Sequence, residues 1–155
     1  MADIIVKNIV SKSKYRNKNA VENLIKYILK AEKRKRLNIW GVQGVNSKDI
    51  DVIIERFILV KKIFHKENGV LMKHLVISFT DNPQISKKLC LKKIKKMIRS
   101  VVPNYQVVYA VHEDTDHIHI HLGINSIGFN GKCCNIDGNE IKRIRKKIIR
   151  IWKDV

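Results

Sequence analysis

The residues VHEDTDHIHIHLGIN, Val111–Asn125, contain the pattern that decides the fold. After an acidic stretch, histidine alternates with isoleucine or leucine, and a period of two is typical of a β-strand. His117, His119 and His121 therefore share one face of a strand predicted over 117–127, and the apolar residues between them share the other face. The apolar face is suited to packing in a core, and the face with the histidines is suited to binding a ligand or to catalysis.

A second strand is predicted just before this one, over 105–113, where β-branched and aromatic residues dominate. If residues 113–116 form the turn, the two strands make a hairpin in which His112 lies opposite His117. His119 is then a diagonal neighbour of His112. The hairpin thus brings four imidazoles to one face of a sheet.

Four converging imidazoles favour a divalent ion, because neutral imidazole is a good ligand for first-row metals. Three protein ligands leave positions open for water or substrate, which is typical of a catalytic site. The alternative is a set of ordinary half-buried histidines, but imidazolium groups this close would repel one another. Asp114 and Asp116 have two open roles, which are to orient the imidazoles or to form the turn.

The rest of the chain predicts further strands and helices around this hairpin. Short β-branched runs predict strands over 4–10 and 70–80. The order β-α-α-β-α-β-β-α implies one α+β domain over 1–155, a two-layer arrangement with helices packed on an antiparallel-containing central sheet. Helices are predicted over 20–33, from an N-cap at Ser47 to Phe64, over 85–102 and over 140–152, and irregular segments over 38–46 and 128–138.

The chain is strongly basic. It has 32 Lys and Arg against 14 Asp and Glu, a formal net charge of +18, and the basic residues are spread from Lys7 to Lys153. Solubility of a small domain needs a net charge of only about 2 to 8. The excess indicates a polyanionic partner, with nucleic acid first and an anionic membrane surface second.

The cysteines and the N-terminus indicate a reduced setting. Cys90, Cys133 and Cys134 are a poor disulfide framework, since the count is odd and two of them are adjacent. The N-terminus has no signal-peptide core, and no apolar run approaches the roughly 18 residues of a membrane span. We therefore expect a cytoplasmic protein that does not insert into a membrane.

The tyrosines are candidate nucleophiles, because a metal site on a basic protein suggests phosphoryl transfer by a side chain or a metal-bound water. Tyr27 lies on the first predicted helix, beside its apolar stripe, where a tyrosine is ordinarily part of the core edge. Tyr15 lies in a basic loop, and Tyr105 and Tyr109 lie on the strand that leads to His112. The residues alone leave the nucleophile open.

Several motifs resemble those of relaxases, which are members of the HUH endonuclease superfamily. His112, six intervening residues, then HIH at 119–121 and a following Asn125 resemble the relaxase three-histidine motif. The helix that carries Tyr27 resembles the relaxase nucleophile motif, in the mobilization-protein branch in particular. HLVISF at 74–79 resembles the strand before the long helix of that family, and the resemblance spans about residues 4–135.

Chain order separates relaxases from related enzymes. Rolling-circle replication initiators and single-tyrosine transposases place their tyrosine after the histidines, and this chain has no tyrosine after Tyr109. Relaxases are usually longer and carry primase, helicase or partner-binding regions, so the chain departs from that pattern in length.

The resemblance implies a bacterial enzyme whose Tyr27 hydroxyl attacks single-stranded DNA at the origin of transfer of a plasmid or integrative element. The products are a 5′-phosphotyrosine and a free 3′-hydroxyl. His112, His119 and His121 would hold one divalent ion, Mn²⁺ or Mg²⁺ before Zn²⁺, Ni²⁺ or Co²⁺, which stabilises charge on the phosphate. His117 is a ligand, a proton acceptor or a support for the ligands. Relaxosome accessory proteins and coupling proteins are the implied protein partners.

Basic side chains are expected to grip the DNA backbone in two places, although each place is also readily explained as a solvated surface. One is the run just after Tyr27, and the other is the outer face of the last helix. Trp40 and Trp152 are better explained by core packing than by stacking on bases. The expected contacts are Lys33, Arg34, Lys35, Arg36, Lys142, Arg143, Lys146, Lys147 and Arg150.

Two other functions are compatible with the sequence. One is another HUH nuclease, such as a replication initiator with an atypical upstream tyrosine. The other is a non-catalytic, basic DNA-binding module whose histidines hold a structural metal.

Overall fold

A computed structural model describes residues 3–9, 15–29, 39–80, 86–112 and 117–153. The elements are β1 (Asp3–Ile9), α1 (Ala20–Leu29), β2 (Trp40–Gln43), α2 (Ile50–Ile63), β3 (Met72–Thr80), α3 (Lys87–Val101), β4 (Val107–His112), β5 (Ile118–Asn125) and α4 (Gly138–Trp152). The five strands form one antiparallel sheet, in the order β1-β3-β5-β4-β2. None of the described helices has the length and apolar character to cross a bilayer.

Helices cover both faces of the sheet. On one face, α3 and α4 pack against residues such as Ile77 and Leu122, and on the other face α1 and α2 pack against Val108 and Ala110. The predicted α+β class and antiparallel sheet are confirmed, but the sheet is the middle of three layers, where two were expected. The reason is that β4 is buried at all six positions, so both of its faces need a cover.

The register of the β4–β5 hairpin differs from the predicted one by two residues. His112 pairs with His119, and β5 begins only at Ile118, after His117. The predicted pairing of His112 with His117 is therefore wrong, because packing along the whole strand sets a register, whereas the prediction used the turn residues alone. A slip of two residues preserves the alternation, so His112, His119 and His121 keep a common face.

The segment 38–46, predicted to be irregular, contains the edge strand β2. Trp40 pairs with Ala110 and Gln43 pairs with Val107. Gly41 lies so close to Tyr109 that an added Cβ would come within 2.6 Å of the ring. The glycine that suggested a loop is thus a packing requirement of the strand.

The helix starts follow N-caps of the expected chemical type at shifted positions. Asp49, rather than Ser47, caps α2, because its carboxylate accepts from the backbone N–H of Asp51 at 2.9 Å. Ser86 caps α3 and Asp137 caps α4, in each case by accepting a backbone N–H three residues on. The predicted end of the first helix, 30–33, lies outside the described residues.

Asn125 at the end of β5 holds α2 on the sheet. Its buried amide donates to the Phe57 carbonyl oxygen at 3.0 Å and to Gln106 Oε1 at 2.8 Å. Lys61 Nζ donates to Asn125 Oδ1 and, at 3.0 Å, to Ser126 Oγ. Lys61 is 2% exposed, and burial lowers the pKa of its amine to about 7. Asn125, part of the motif quoted above, therefore joins two elements in the core.

We expect the buried amine of Lys61 to make stability depend on pH. Because its pKa is lower in the folded chain than the ordinary 10.5, the unfolded chain binds more protons between pH 7 and 10.5. The free energy of unfolding then rises with pH across that window. Thermal melts followed by circular dichroism should show this rise in the wild type and a much smaller one in Lys61→Met. Equal rises in the two proteins would contradict a buried amine that loses its proton.

Candidate active site

Three strands contribute imidazoles to one patch, which we call the histidine face. His74 lies on β3, His112 on β4, and His119 and His121 on β5. The ring centroids of His112 and His121 are 4.2 Å apart, and those of His74 and His121 are 5.2 Å apart. His119 is half-buried and pairs with His112 across the two strands.

Gly123 lets helix α1 lie directly on this part of the sheet. A Cβ at this position would come within 2.8 Å of Ile28 Cδ1 and 2.9 Å of Val108 Cγ2. Both side chains are fully buried, so neither can swing into solvent. The missing side chain at Gly123 therefore sets how closely α1 approaches β5.

The end of α1 is also hydrogen-bonded to the sheet. His112 Nε2 lies 2.8 Å from the carbonyl oxygen of Ile28, so it carries the proton and donates. That oxygen belongs to the last turn of α1, where carbonyls have no partner within the helix. In a neutral His112 ring the other nitrogen, Nδ1, is then an acceptor.

A chain of hydrogen bonds runs from His121 into the core. His121 Nδ1 lies 2.9 Å from His74 Nε2, and His74 Nδ1 lies 2.9 Å from the Tyr15 hydroxyl. If His121 carries its proton on Nδ1, each imidazole donates to the next group and His121 Nε2 is an acceptor. Tyr15 is 4% exposed, and burial, followed by the neighbouring Tyr27, raises the pKa of its hydroxyl. Tyr15 is therefore held in its protonated form.

Tyr27 stands beside these rings at the surface. Its side chain is 51% exposed. Its ring centroid lies 5.9 Å from that of His121 and 6.1 Å from that of His74, in edge-to-face geometry. A phosphate that approached Tyr27 from solvent would also approach the histidine face.

The other three tyrosines are less accessible. Tyr15 and Tyr109 are buried, and Tyr109 belongs to the core on the opposite side of the sheet. Tyr105 is half-buried, and its hydroxyl donates to the Lys132 carbonyl oxygen at 3.2 Å. All four tyrosines of the chain are described residues, and Tyr27 alone is both exposed and beside the histidines.

The predicted ligands have the right chemistry for a divalent ion. His112 and His121 each have one ring nitrogen hydrogen-bonded to the protein, to Ile28 and His74 respectively. Such bonds orient metal-binding imidazoles and leave the second nitrogen for the ion. Within the described ranges, no three His, Cys, Asp or Glu side chains are grouped closely enough in this conformation to hold an ion. The ligand set with His119 stays a prediction.

Of the other residues with predicted roles outside the last helix, the structure describes His117 and the two tryptophans. His117 is exposed and precedes β5, so it is outside the strand in which it was predicted to alternate. Asp114, Asp116 and the basic run 33–36 lie outside the described residues. Trp152 is buried in the core, and Trp40 is half-buried under the ammonium of Lys48.

The basic residues predicted to grip DNA on the last helix lie across the sheet from the histidine face. Helix α4 buries Ile144 and Ile148, as its apolar stripe predicts, and packs with α3 against the opposite side of the sheet. The residues concerned are Lys142, Arg143, Lys146, Lys147 and Arg150.

The cluster contains two residues, His74 and Tyr15, that were not predicted to belong to it. His74 alternates with Leu75 and Ile77 on its strand, as the later histidines alternate with their neighbours, and that alternation is a usable signal. The pairing of β3 with β5, which brings His74 next to His121, has no local sequence signature. Tyr15 had no signal, because its burial depends on tertiary packing.

A family model for the nuclease domain of MobA/VirD2-like relaxases matches residues 27–154. The matched range begins at Tyr27 and contains every residue of the histidine face. The chain belongs to the family of MobA/VirD2-like relaxase nuclease domains.

Curated relatives include proteins named rlx from Staphylococcus aureus. One is 33% identical over 84 residues, which are 54% of this chain and 26% of the relative. Another is 30% identical over 99 residues, which are 63% of this chain and 30% of the relative. The aligned part thus spans less than a third of each relative's length.

One solved structure, described as the molecular basis of vancomycin resistance transfer in Staphylococcus aureus, shares the fold. Its TM-score is 0.62 at 12% sequence identity, and the match covers 99% of this chain and 91% of that chain.

The contact of Gly123 with Ile28 can be tested with a double-mutant cycle. Gly123→Ala should lower the free energy of unfolding by about 1 to 3 kcal/mol, because the new methyl group overpacks the α1–β5 contact. Ile28→Val removes Cδ1, so the double variant should be more stable than the sum of the single effects predicts. Urea titrations of the four proteins measure this coupling. Strict additivity would mean that Ile28 does not limit the space at Gly123.

Proposed function

We propose that the chain nicks and rejoins single-stranded DNA at an origin of transfer, as the nuclease domain of a relaxase. The observation that carries this proposal is the position of Tyr27, which is exposed and lies beside His74 and His121 in a member of the relaxase nuclease family. Relaxosome accessory proteins and coupling proteins are the proposed protein partners.

In the proposed reaction, the Tyr27 hydroxyl oxygen attacks the phosphorus of one phosphodiester. An oxygen–phosphorus bond forms to Tyr27, the bond to the 3′ oxygen breaks, and that oxygen takes up a proton from water and leaves as a hydroxyl. The product, a 5′-phosphotyrosine, keeps the bond energy, so the 3′-hydroxyl can attack it later and restore the strand. A base takes the phenolic proton, and the assignment of His117 to that role stays a prediction.

We propose His112, His119 and His121 as the residues that hold one divalent ion, with Mn²⁺ or Mg²⁺ as first candidates. An ion held there would supply positive charge that stabilises the reacting phosphate. The hydrogen bonds of His112 and His121 to protein groups support this assignment. His74 and Tyr15 are positioning residues, because both are buried, His74 is hydrogen-bonded to His121, and Tyr15 is hydrogen-bonded to His74.

One observation and one experiment separate this proposal from the alternatives. In replication initiators the nucleophile follows the histidines, whereas the exposed Tyr27 precedes them by more than 80 residues. A non-catalytic module would bind DNA and metal without forming a covalent bond. Formation of a covalent adduct with DNA therefore decides between an enzyme and a binding module.

Tyr27→Phe should abolish the covalent adduct, because it removes the attacking oxygen and little else. Tyr27 is 51% exposed and a side-chain hydroxyl contributes about 1 kcal/mol to stability, so the variant should stay folded. The assay is denaturing electrophoresis of a labelled single-stranded oligonucleotide that carries the cognate nick site, with Mn²⁺ or Mg²⁺. Wild type should give a protein-linked fragment that survives boiling in detergent.

Tyr105→Phe is the matched control for that assay. Its hydroxyl is bonded to a backbone carbonyl away from the histidine face, so the adduct should form as in wild type. If Tyr27→Phe still forms the adduct and Tyr15→Phe does not, the nucleophile is the buried Tyr15. If Tyr27→Phe and Tyr15→Phe both still cleave the oligonucleotide, the attacking group is a water molecule and the relaxase proposal fails.

Replacing His119 should weaken metal binding strongly, since the ion loses one of three protein ligands. His119→Asn can be compared with His65→Asn, in which the histidine lies away from the sheet and has a positive φ of 54° that asparagine tolerates. His74→Ala should weaken affinity by about tenfold to a hundredfold through the lost support of His121. Calorimetric titration of Mn²⁺ into the metal-free chain measures all three. Wild-type affinity in His119→Asn would rule out this ligand set.

A further inference from the structure

Among the four described helices, the net positive charge lies almost entirely on the side of the sheet that faces away from the histidines. Helix α3 contains seven Lys or Arg and no acidic residue, and α4 contains six against one Glu. These two helices thus hold a net charge of +12 out of the chain's +18. Helices α1 and α2, on the histidine face, sum to only +1. The two described helices with the largest net charge therefore lie across the sheet from Tyr27.

Helices α3 and α4 form one continuous surface. Lys93 Nζ on α3 donates to the Ile151 carbonyl oxygen on α4 at 2.7 Å, and Lys147 Nζ on α4 donates to the Ser100 carbonyl oxygen on α3 at 3.1 Å. Each helix has 15 residues and is about 22 Å long. The exposed basic side chains of this surface are Lys88, Lys92, Lys95, Lys96, Arg99, Lys142, Arg143, Arg145, Lys146 and Arg150.

The acidic residues that the structure describes neutralise little of this surface. Between described residues, the one ion pair on it joins Arg143 to Glu140. Concentrated like charge destabilises the compact state through self-repulsion. A polyanionic ligand relieves that repulsion, whereas water and dissolved salt only screen it.

The chemistry of the surface favours the phosphates of duplex DNA. The exposed large hydrophobic residues of the described chain all lie outside α3 and α4, so the surface has no apolar group to insert into a membrane. Trp152, the one aromatic residue of the two helices, is buried, so no ring is available for stacking on the bases of a single strand. Duplex DNA carries one charge per about 1.7 Å of axis, so a surface about 22 Å long can meet several phosphates at once.

We infer that the α3–α4 surface is a second DNA-binding site, which binds the phosphate backbone of duplex DNA independently of sequence. It lies on the opposite side of the sheet from the proposed nicking site, so one molecule can hold a duplex segment and present Tyr27 to a single strand. The inference does not rest on the nicking reaction, because the charge distribution stands whether or not Tyr27 is the nucleophile.

The test compares two triple variants that each remove three positive charges. Lys88→Gln/Lys92→Gln/Lys96→Gln neutralises one exposed stripe of α3, and the matched control neutralises Arg56, Lys62 and Lys132 to Gln outside α3 and α4. Fluorescence anisotropy with chelator present measures binding to a labelled duplex of about 20 base pairs of arbitrary sequence, across a salt series. Circular dichroism confirms that both variants fold.

The α3 variant should bind the duplex about tenfold or more weakly at roughly 0.1 M salt, and its plot of log K against log salt should be shallower by about 0.9 per lost contact. The control should bind within about twofold of wild type, and both variants should keep wild-type nicking of a single-stranded oligonucleotide. Equal loss of duplex binding in the two variants would overturn the inference in favour of diffuse charge. If the wild-type chain binds vesicles with about 30% phosphatidylserine but does not bind the duplex, the partner of this surface is a membrane and the inference is wrong.

Discussion

The arrangement of the histidine face depends on how closely α1 lies against the sheet. Gly123 provides the space, because any side chain there would meet Ile28 and Val108. The hydrogen bond from His112 to the Ile28 carbonyl then fixes the end of the helix. Since Ile28 follows Tyr27 directly, both contacts act within one residue of the exposed tyrosine. A helix displaced by one side-chain layer would carry Tyr27 away from His74 and His121.

Alternation along β5 serves the core and the site at the same time. Ile120, Leu122 and Ile124 pack under α3 and α4, while His119 and His121 face α1. The apolar face of β5 is therefore buried under α3 and α4. On its other face, His121 is hydrogen-bonded to His74 of β3, and His119 pairs with His112 of β4. The described helices differ in charge in a similar way, because α1, which carries Tyr27, has no net charge, whereas α3 and α4 on the other side of the sheet hold a net charge of +12.

Local periodicity was sufficient to predict most elements and the common face of His112, His119 and His121. Pairing was harder, because the number of residues in the hairpin connection and the partner of each strand depend on packing along the whole sheet. For that reason the His112–His119 register, strand β2 and the third layer appeared only in the structure. His74 illustrates the same limit: its alternation is visible in the sequence, but its hydrogen bond to His121 requires β3 to lie beside β5.

The most direct measurement of the central claim is the site of covalent attachment. Wild-type chain is allowed to react with a single-stranded oligonucleotide, and the adduct is digested with nuclease and protease and analysed by tandem mass spectrometry. The geometry of the histidine face predicts a nucleotide phosphate on the peptide that contains Tyr27, with the mass added to the tyrosine itself. Attachment at Tyr15, Tyr105 or Tyr109 would contradict the assignment of Tyr27 as the nucleophile.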